Sequence, residues 1–391
     1  MNSEKIDIHN REKRLLRMIE RVKTDPTLIE DNRKEILRFK EHMIADSLSS
    51  GRITKYMFYL SKISRFVNKP FKDVTKDDMV SMMSMLETDE NKSECFKADI
   101  RITSKKFFKW FRGIPKNSNE YPPEVAWIST HTKESTKLPE DVLVYEDVIK
   151  MSKSATNPRD CVIPLFLFES GLRSSEMLTM RMRNVMTHER GFKIIIPTSK
   201  TGQGRTLLLI TCQKEFRDYL NTVPHNNNGD QWVWVSLGKG NDGRRMTYAA
   251  LRNVLRRLAN RTDITKSVHP HGFRTAAATY LSSFLTERQL KMFLGHVPNS
   301  RATSRYVILG SKHLEDALLV LHGLVPVEKK FNRKVCPRCN TQNSLTTKFC
   351  ETCSYILDSE VSEKIEKVDK ILEEKLTDPR IRELLSKILL K

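Results

Sequence analysis

Ser170-Gly-Leu-Arg173-Ser-Ser-Glu176, His271-Gly-Phe-Arg274 and Leu294-Gly-His296-Val-Pro-Asn-Ser-Arg-Ala-Thr-Ser-Arg-Tyr306 follow one another along one stretch of the 391-residue chain. Their polar side chains form a chemical set. Arg173 and Arg274 carry planar guanidinium forks, which suit bidentate contact with a phosphodiester and with the charge that builds on its non-bridging oxygens. His271 and His296 can donate hydrogen bonds or move protons. A phenol such as that of Tyr306 can attack phosphorus in line with the leaving oxygen and keep the bond energy in a covalent link. Rejoining then needs neither ATP nor a catalytic metal. Each string alone is a weak signal, whereas five such residues in order are a strong one.

The composition around this stretch points the same way. A formal net charge of +20 favours a polyanionic partner. An anionic membrane surface would attract the same charge, but no apolar run approaches the ~20 residues that span a bilayer. The first 30 residues are charged throughout, so no secretory h-region is expected, and a cytoplasmic, nucleoid-associated location is. Seven cysteines are present, and four fall in Cys336-x-x-Cys339 and Cys350-x-x-Cys353, with ten residues between the pairs. Two such pairs at this spacing predict a closed four-thiolate zinc site of structural type, a zinc ribbon over 331–358. Arg333, Lys334, Arg338 and Lys348 lie close enough in sequence to offset its negative charge. So short a module needs its metal to fold. Cys95, Cys161 and Cys212 are scattered, which fits thiols in a reducing compartment better than a disulfide framework.

Periodicity divides the rest. Residues 1–30 read as a charged helical lead-in, and 31–113 as a small all-helical domain with Ile36, Phe39, Met43 and Ile44, then Tyr56, Leu60, Ile63 and Val67, at helical spacing. Thr75 opens a third helix with Asp77 and Asp78 in its first turn. A fourth contains Lys105, Lys106 and Lys109 among aromatics, either an ordinary solvated basic face or one that meets phosphates. Residues 114–140 read as a linker. In a mixed α+β region over 141–325, Lys193–Pro197, the turn Thr201–Gly204 and Thr206–Ile210 predict a hairpin. Thr247 caps a helix, Tyr248–Ala259, carrying Arg252, Arg256 and Arg257 as candidate DNA contacts. The tail, 359–391, reads as two helical pieces broken at Asp378-Pro379. Its stripe of Ile381, Leu384, Leu385, Ile388 and Leu389 either packs on its own chain or docks on a neighbouring protomer.

The strings resemble the tyrosine recombinase, or phage integrase, family. That family carries an Arg in a Gly-Leu-Arg-x-x-Glu string, a hairpin Lys, His-x-x-Arg, Gly-His and a terminal Tyr. The resemblance implies that Arg173 and Arg274 clamp the scissile phosphate, that His271 and His296 hydrogen-bond it, and that Glu176 supports the pocket. It makes Lys200 the general acid for the departing 5′-hydroxyl, with Lys193 and Lys214 as nearby rivals, and Tyr306 the nucleophile that forms a 3′-phosphotyrosyl bond. His269 competes with His271, and the Arg274 offset favours His271. Tyr248 and Tyr280 also lie near basic residues, and the place after Gly295-His296 favours Tyr306.

The implied fold is multidomain: an α-helical core-binding (SAM-like) N-terminal domain, a mainly α, α+β tyrosine-recombinase catalytic domain, and a small C-terminal zinc ribbon. The implied partners are double-stranded DNA and further copies of the chain, a homo-tetramer on paired sites. His296 and Tyr306 are ten residues apart, one more than in most of the family. That spacing and the cysteine module are similar to archaeal integrases. The ribbon's role, as DNA contact, protein contact or stabilising cap, is open at this point. Rival readings are a type IB-like topoisomerase and a zinc-ribbon DNA-binding regulator with an inactive domain.

Overall fold

In the computed structural model, residues 6–131, 139–197, 204–223, 229–237, 243–300, 303, 334–344 and 346–376 are described. The chain divides into two compact units, Met1–Thr136 and Lys137–Lys391.

The first unit is all helical: α1 (Arg11–Thr24), α2 (Glu30–Ala45), α3 (Ser50–Val67), α4 (Lys76–Thr88), α5 (Glu94–Phe111) and the short α6 (Pro123–Ala126). Ile36, Phe39 and Met43 of α2 meet Ile53, Met57, Leu60 and Ile63 of α3 in one core with Phe107 and Phe108 of α5. Ile44 keeps the helical spacing but faces solvent. Thr75 and Asp78 cap α4 reciprocally. The core extends beyond 31–113 in both directions. Met18 and Val22 of α1 join it, and so do Val125 and Ile128, inside the stretch whose prolines and polar residues suggest a linker. Pro123 sits in the first turn of α6, where a missing N–H costs nothing, so a proline-rich segment can still seal a core.

Asn32 organises this unit from within. It is fully buried, and its amide donates to Ser64 Oγ and to Lys69 O, each at 2.9 Å, while its carbonyl accepts from Phe71 N at 2.7 Å. The side chain thus satisfies backbone groups where the chain leaves α3.

The second unit is built around α8 (Pro158–Ser170), which packs against α7 (Tyr145–Lys153), α10 (Gln213–Thr222), α12 (Pro270–Leu281) and strand β3 (Arg205–Leu209). Val162 to Phe168 are all buried, as expected of a helix apolar on every side. Asn157 caps its start, and Gly171, at φ 56°, ends it. The chain turns there into α9 (Ser174–Leu178) and a three-stranded antiparallel sheet ordered β1 (Val185–His188), β2 (Gly191–Ile196), β3. The β2–β3 pairing is the expected hairpin; of its turn, residues 198–203 lie outside the described ones. At the end of α8, the Glu169 carboxylate accepts from the consecutive N–H groups of Ile210, Thr211 and Cys212, at 2.5, 2.7 and 2.9 Å, where β3 passes into α10. Helix α11 (Tyr248–Asn260), capped by Thr247, and α13 (Glu287–Leu294), capped by Thr286, complete the described helices of this part.

The cysteine module belongs to the same unit. It has the short hairpin β4 (Lys334–Val335) and β5 (Gln342–Asn343) and is followed by α14 (Ser359–Leu376). Ser344 Oγ donates to Glu215 Oε1 of α10 at 2.7 Å, both residues buried. Lys214 pairs with Glu351 at 2.7 Å, and Lys153 with Asp358 at 3.0 Å. The tail stripe from Ile381 onward lies outside the described residues. Among the described residues no helix is long and apolar enough to cross a membrane.

Truncating Asn32 to alanine leaves a donor and two acceptors buried without partners. A loss of roughly 2–4 kcal/mol is expected, read as a lower denaturation midpoint; an unchanged midpoint would contradict the role given to this side chain.

Candidate active site

The C-terminal end of α13 is where the site is assembled. A helix leaves its last carbonyls unpaired and carries partial negative charge there. Gly295, at φ 62°, closes α13, with His296 N donating to Lys291 O at 2.9 Å. The carbonyls of Phe293, Leu294 and Gly295 each take a different arginine. Arg205 Nε donates to Phe293 O at 2.8 Å, Arg274 Nη2 to Leu294 O at 2.7 Å, and Arg173 Nη2 to Gly295 O at 3.3 Å. One helix end thus collects guanidinium groups from β3, α12 and the start of α9. Only glycine fits at 295: a Cβ there would lie 2.5 Å from Arg205 Nη1, in addition to the cost of the left-handed backbone.

Arg274 is 2% exposed, and its Nη1 donates to Gly171 O at 2.8 Å. It therefore locks the end of α8 to the end of α13. The Arg173 side chain is 34% exposed and so can meet a ligand. Between Arg173 and Arg205 lies Glu176, its side chain 8% exposed. This carboxylate accepts from Arg173 N at 2.9 Å, Arg173 Nη1 at 3.0 Å, and Arg205 Nη1 and Nη2 at 3.1 and 2.9 Å. Burial alone would raise the Glu176 pKa, but the hydrogen bonds and charge of Arg205, with those of Arg173, outweigh it and hold the carboxyl below its usual range. Among the described residues, three guanidinium groups against one carboxylate leave a surplus of two positive charges.

His296 is neutral in this setting. Burial, then the charges of Arg274, Arg173 and Arg205, push its pKa down to about 4. Its Nε2 lies 2.9 Å from Arg274 Nη2, and since the guanidinium can only donate, Nε2 accepts and Nδ1 carries the proton. That Nδ1 is buried and has no partner among the described residues. A buried N–H beside two arginines can serve an anionic oxygen. The two neighbouring histidines differ. His269 caps α12, its Nδ1 accepting from Gly272 N at 3.0 Å, whereas His271 is exposed one turn before Arg274.

The structure thus brings Arg173, Glu176, Arg274 and His296 together and places His271 on the helix that carries Arg274. Lys200 and Tyr306 lie outside the described residues. Tyr280 sits among aromatics, 5.8 Å from Phe168 and 5.3 Å from Phe284. Of the basic residues elsewhere, Arg252 and Arg256 are on the exposed face of α11, while Arg257 reaches the buried Asp160 at 2.6 Å. Lys105 Nζ lies 3.0 Å from Ile128 O, Lys109 Nζ 3.2 Å from Lys116 O, and both lie over the Tyr121 ring. These two lysines fasten the 116–128 segment to α5 and are not free surface charges. Lys106 lies over Tyr56. Arg205 is the member that sequence reasoning missed. Its signal was an ionisable residue opening an otherwise apolar strand, which needs a buried counterion.

The four cysteines also converge. The Sγ atoms of Cys336, Cys339, Cys350 and Cys353 lie within 4.8 Å of one another, the one such group among the described residues. The two pairs fold alike: Cys336 N donates to Thr341 O and Cys350 N to Tyr355 O, while Asn340 and Ser354, each four residues on, take positive φ. Four sulfurs this close fit a soft, tetrahedrally ligated ion such as Zn²⁺ with no position left open.

The depressed histidine sets a pH dependence. The unfolded imidazole takes its proton near 6.5 and the folded one near 4, so the folding contribution is complete above 6.5 and is lost as pH falls towards 4. Over that range the wild type should lose more stability than His296→Gln, and NMR titration should find His296 neutral at pH 6. A normal titration near 6.5 would contradict the geometry.

Residues 142–313 match the phage integrase family. Tyrosine recombinase XerC of Staphylococcus carnosus (strain TM300) is 24% identical over 312 residues, covering 71% of this chain and all of that protein. XerC of Staphylococcus haemolyticus (strain JCSC1435) is 26% identical over 212 residues, covering 51% of this chain and 67% of that protein. Two solved structures share the fold. The XerH site-specific recombinase bound to palindromic difH substrate, a post-cleavage complex, has a TM-score of 0.56 at 18% identity, covering 82% of this chain and 98% of that one. A lambda integrase dimer bound to a COC′ core site has a TM-score of 0.56 at 14% identity, covering 70% of this chain and 76% of that one. With the five polar residues in order and the arginines gathered at one helix end, residues 142–313 are similar to the phage integrase family, and the chain as a whole is similar to tyrosine recombinases.

Proposed function

We propose that the protein is a site-specific DNA recombinase that cuts and rejoins duplex DNA through Tyr306. The observation that carries the reading is the charge of the pocket: a surplus of two positive charges and an unpartnered imidazole N–H at one helix end. A phosphodiester carries one negative charge, and its five-coordinate transition state approaches two. A pocket with fixed charge of matching size stabilises the second more than the first.

In this reading Arg173, Arg274 and the Nδ1–H of His296 bind the non-bridging oxygens, and His271 adds a further hydrogen bond. The phenolic oxygen of Tyr306 gives its proton to His271 as it attacks phosphorus, the bond to the 5′-oxygen breaks, and Lys200 supplies the proton to that oxygen. A 3′-phosphotyrosyl bond remains. Attack by a 5′-hydroxyl of the partner strand reverses each step, so no ATP or catalytic metal enters the balance. Arg252 and Arg256 on the open face of α11 supply backbone contacts, and the helical unit serves as the core-binding domain. Strand exchange needs two sites, which favours a homo-tetramer on paired duplexes, working in the cytoplasm on nucleoid DNA. One Zn²⁺ on Cys336, Cys339, Cys350 and Cys353 plays a structural part. The Ser344–Glu215 bond makes the ribbon a cap on α10.

The test is a pool of nicked duplexes randomised around the nick, from which protein–DNA adducts are trapped in detergent. The wild type should form an adduct and Tyr306→Phe none, with duplex affinity within about twofold because phosphate contacts elsewhere carry binding. An adduct in Tyr306→Phe would refute the nucleophile. Relaxation of any supercoiled plasmid by the monomer would replace the site-specific reading by a topoisomerase.

The ribbon has its own measurement. The purified chain should hold one zinc per molecule, and a chelator should open 334–358 to protease, since a module of this size depends on its ion. A zinc-free chain with a protected ribbon would contradict the assignment.

A further inference from the structure

We propose that Arg205 is a positioning residue of this phosphate site: by holding Glu176, it keeps the charge of Arg173 available to the scissile phosphate. The inference rests on the reading of Arg173, Arg274 and His296 given above.

Glu176 is the carboxylate that pairs with Arg173 and Arg205, and it is shared. Arg205 takes it with both Nη atoms, at 3.1 and 2.9 Å, the fork-to-fork geometry that binds carboxylates best, whereas Arg173 reaches it through a single Nη1 at 3.0 Å. Glu176 therefore spends most of its charge on Arg205. The Arg205 side chain is 8% exposed, so this pairing is shielded from water and salt. Its third donor, Nε, is fixed to Phe293 O at 2.8 Å, next to the carbonyls that hold Arg274 and Arg173. With all three contacts made, Arg205 has little freedom to meet a ligand. Its effect passes through Glu176.

Without Arg205, Glu176 would remain buried, and Arg173 would be its only cation. The two would close into a neutral bidentate pair, and the pocket's surplus would fall from two charges to one. Arg205 also opens β3, the strand that directly follows residues 198–203, where Lys200 stands in the sequence. It thus ties the hairpin that bears the expected general acid to the end of α13.

Removing Glu176 as well separates a charge role from mere packing. In Arg205→Met the carboxylate is left to capture Arg173. In Arg205→Met/Glu176→Gln the captor is gone, and Arg173 is free again although two more contacts have been deleted. The experiment measures single-turnover adduct formation by the full-length protein on the trapped nicked-duplex pool, with duplex affinity and thermal midpoint measured alongside. Arg205→Met should slow cleavage roughly 10- to 100-fold, the scale known for residues that orient the ligands of a metal site, with affinity little changed. The double variant should recover a several-fold part of that loss. Arg205→Lys keeps a charge but not the fork, and should fall between wild type and Arg205→Met; it answers the question if the methionine variant does not fold.

Wild-type cleavage rates in Arg205→Met or Arg205→Lys, or a double variant no faster than Arg205→Met, would overturn the proposal. A wild type that forms no adduct would overturn the reading of the site itself, and this inference with it. A reactive wild type matched by its Arg205 variants overturns the inference alone.

Discussion

The last carbonyls of α13 are the fixed point of the second unit. A helix end offers unpaired acceptors and partial negative charge, and here three arginines from three elements meet it at Phe293, Leu294 and Gly295. The backbone thus supplies what guanidinium groups packed so closely need to coexist before any substrate arrives. Carbonyl dipoles hold the groups in place without cancelling their charge, as carboxylates would. Glu176 cancels one unit and leaves the rest for a ligand. The glycine at 295 is part of the same device, since any side chain there would displace Arg205.

This arrangement explains why His296 is neutral. Burial disfavours the charged imidazole most, and beside three cations a fourth positive charge is disfavoured further. The imidazole is left to accept from Arg274 and to hold a buried Nδ1–H without a partner among the described residues. It can hydrogen-bond an anionic oxygen throughout a reaction cycle without changing charge at neutral pH. A pocket composed this way favours the state with the most negative charge, which for phosphoryl transfer is the transition state.

Much of this was legible in the sequence, and the limits are physical. Arg173, His271, Arg274 and His296 stand out because phosphate chemistry needs those side chains and they occur in order. The cysteine pairs stand out because metal geometry imposes short, regular spacings. The hairpin and the Thr75 and Thr247 caps follow from local rules that act within a few residues. Long-range pairings leave no such trace. Arg205 and Glu176 are 29 residues apart and belong to different elements, so only folding shows that they form a pair. Arg257 looks like Arg252 and Arg256 in sequence, yet it turns to the buried Asp160. Lys105 and Lys109 resemble a phosphate-binding face but fasten backbone carbonyls. The prolines of 114–140 suggest a linker because local composition does not reveal Val125 and Ile128 completing a core.

The most direct test is a crystal structure of the Tyr306→Phe protein bound to a duplex recovered from the nicked pool. The account predicts one backbone phosphate whose non-bridging oxygens lie within hydrogen-bond distance of Arg173, Arg274 and His296 Nδ1, with residue 306 facing its phosphorus and Arg205 still on Glu176 and Phe293 O. A phosphate bound away from these three groups, or one held by Arg205 while Arg173 remains closed on Glu176, would contradict it.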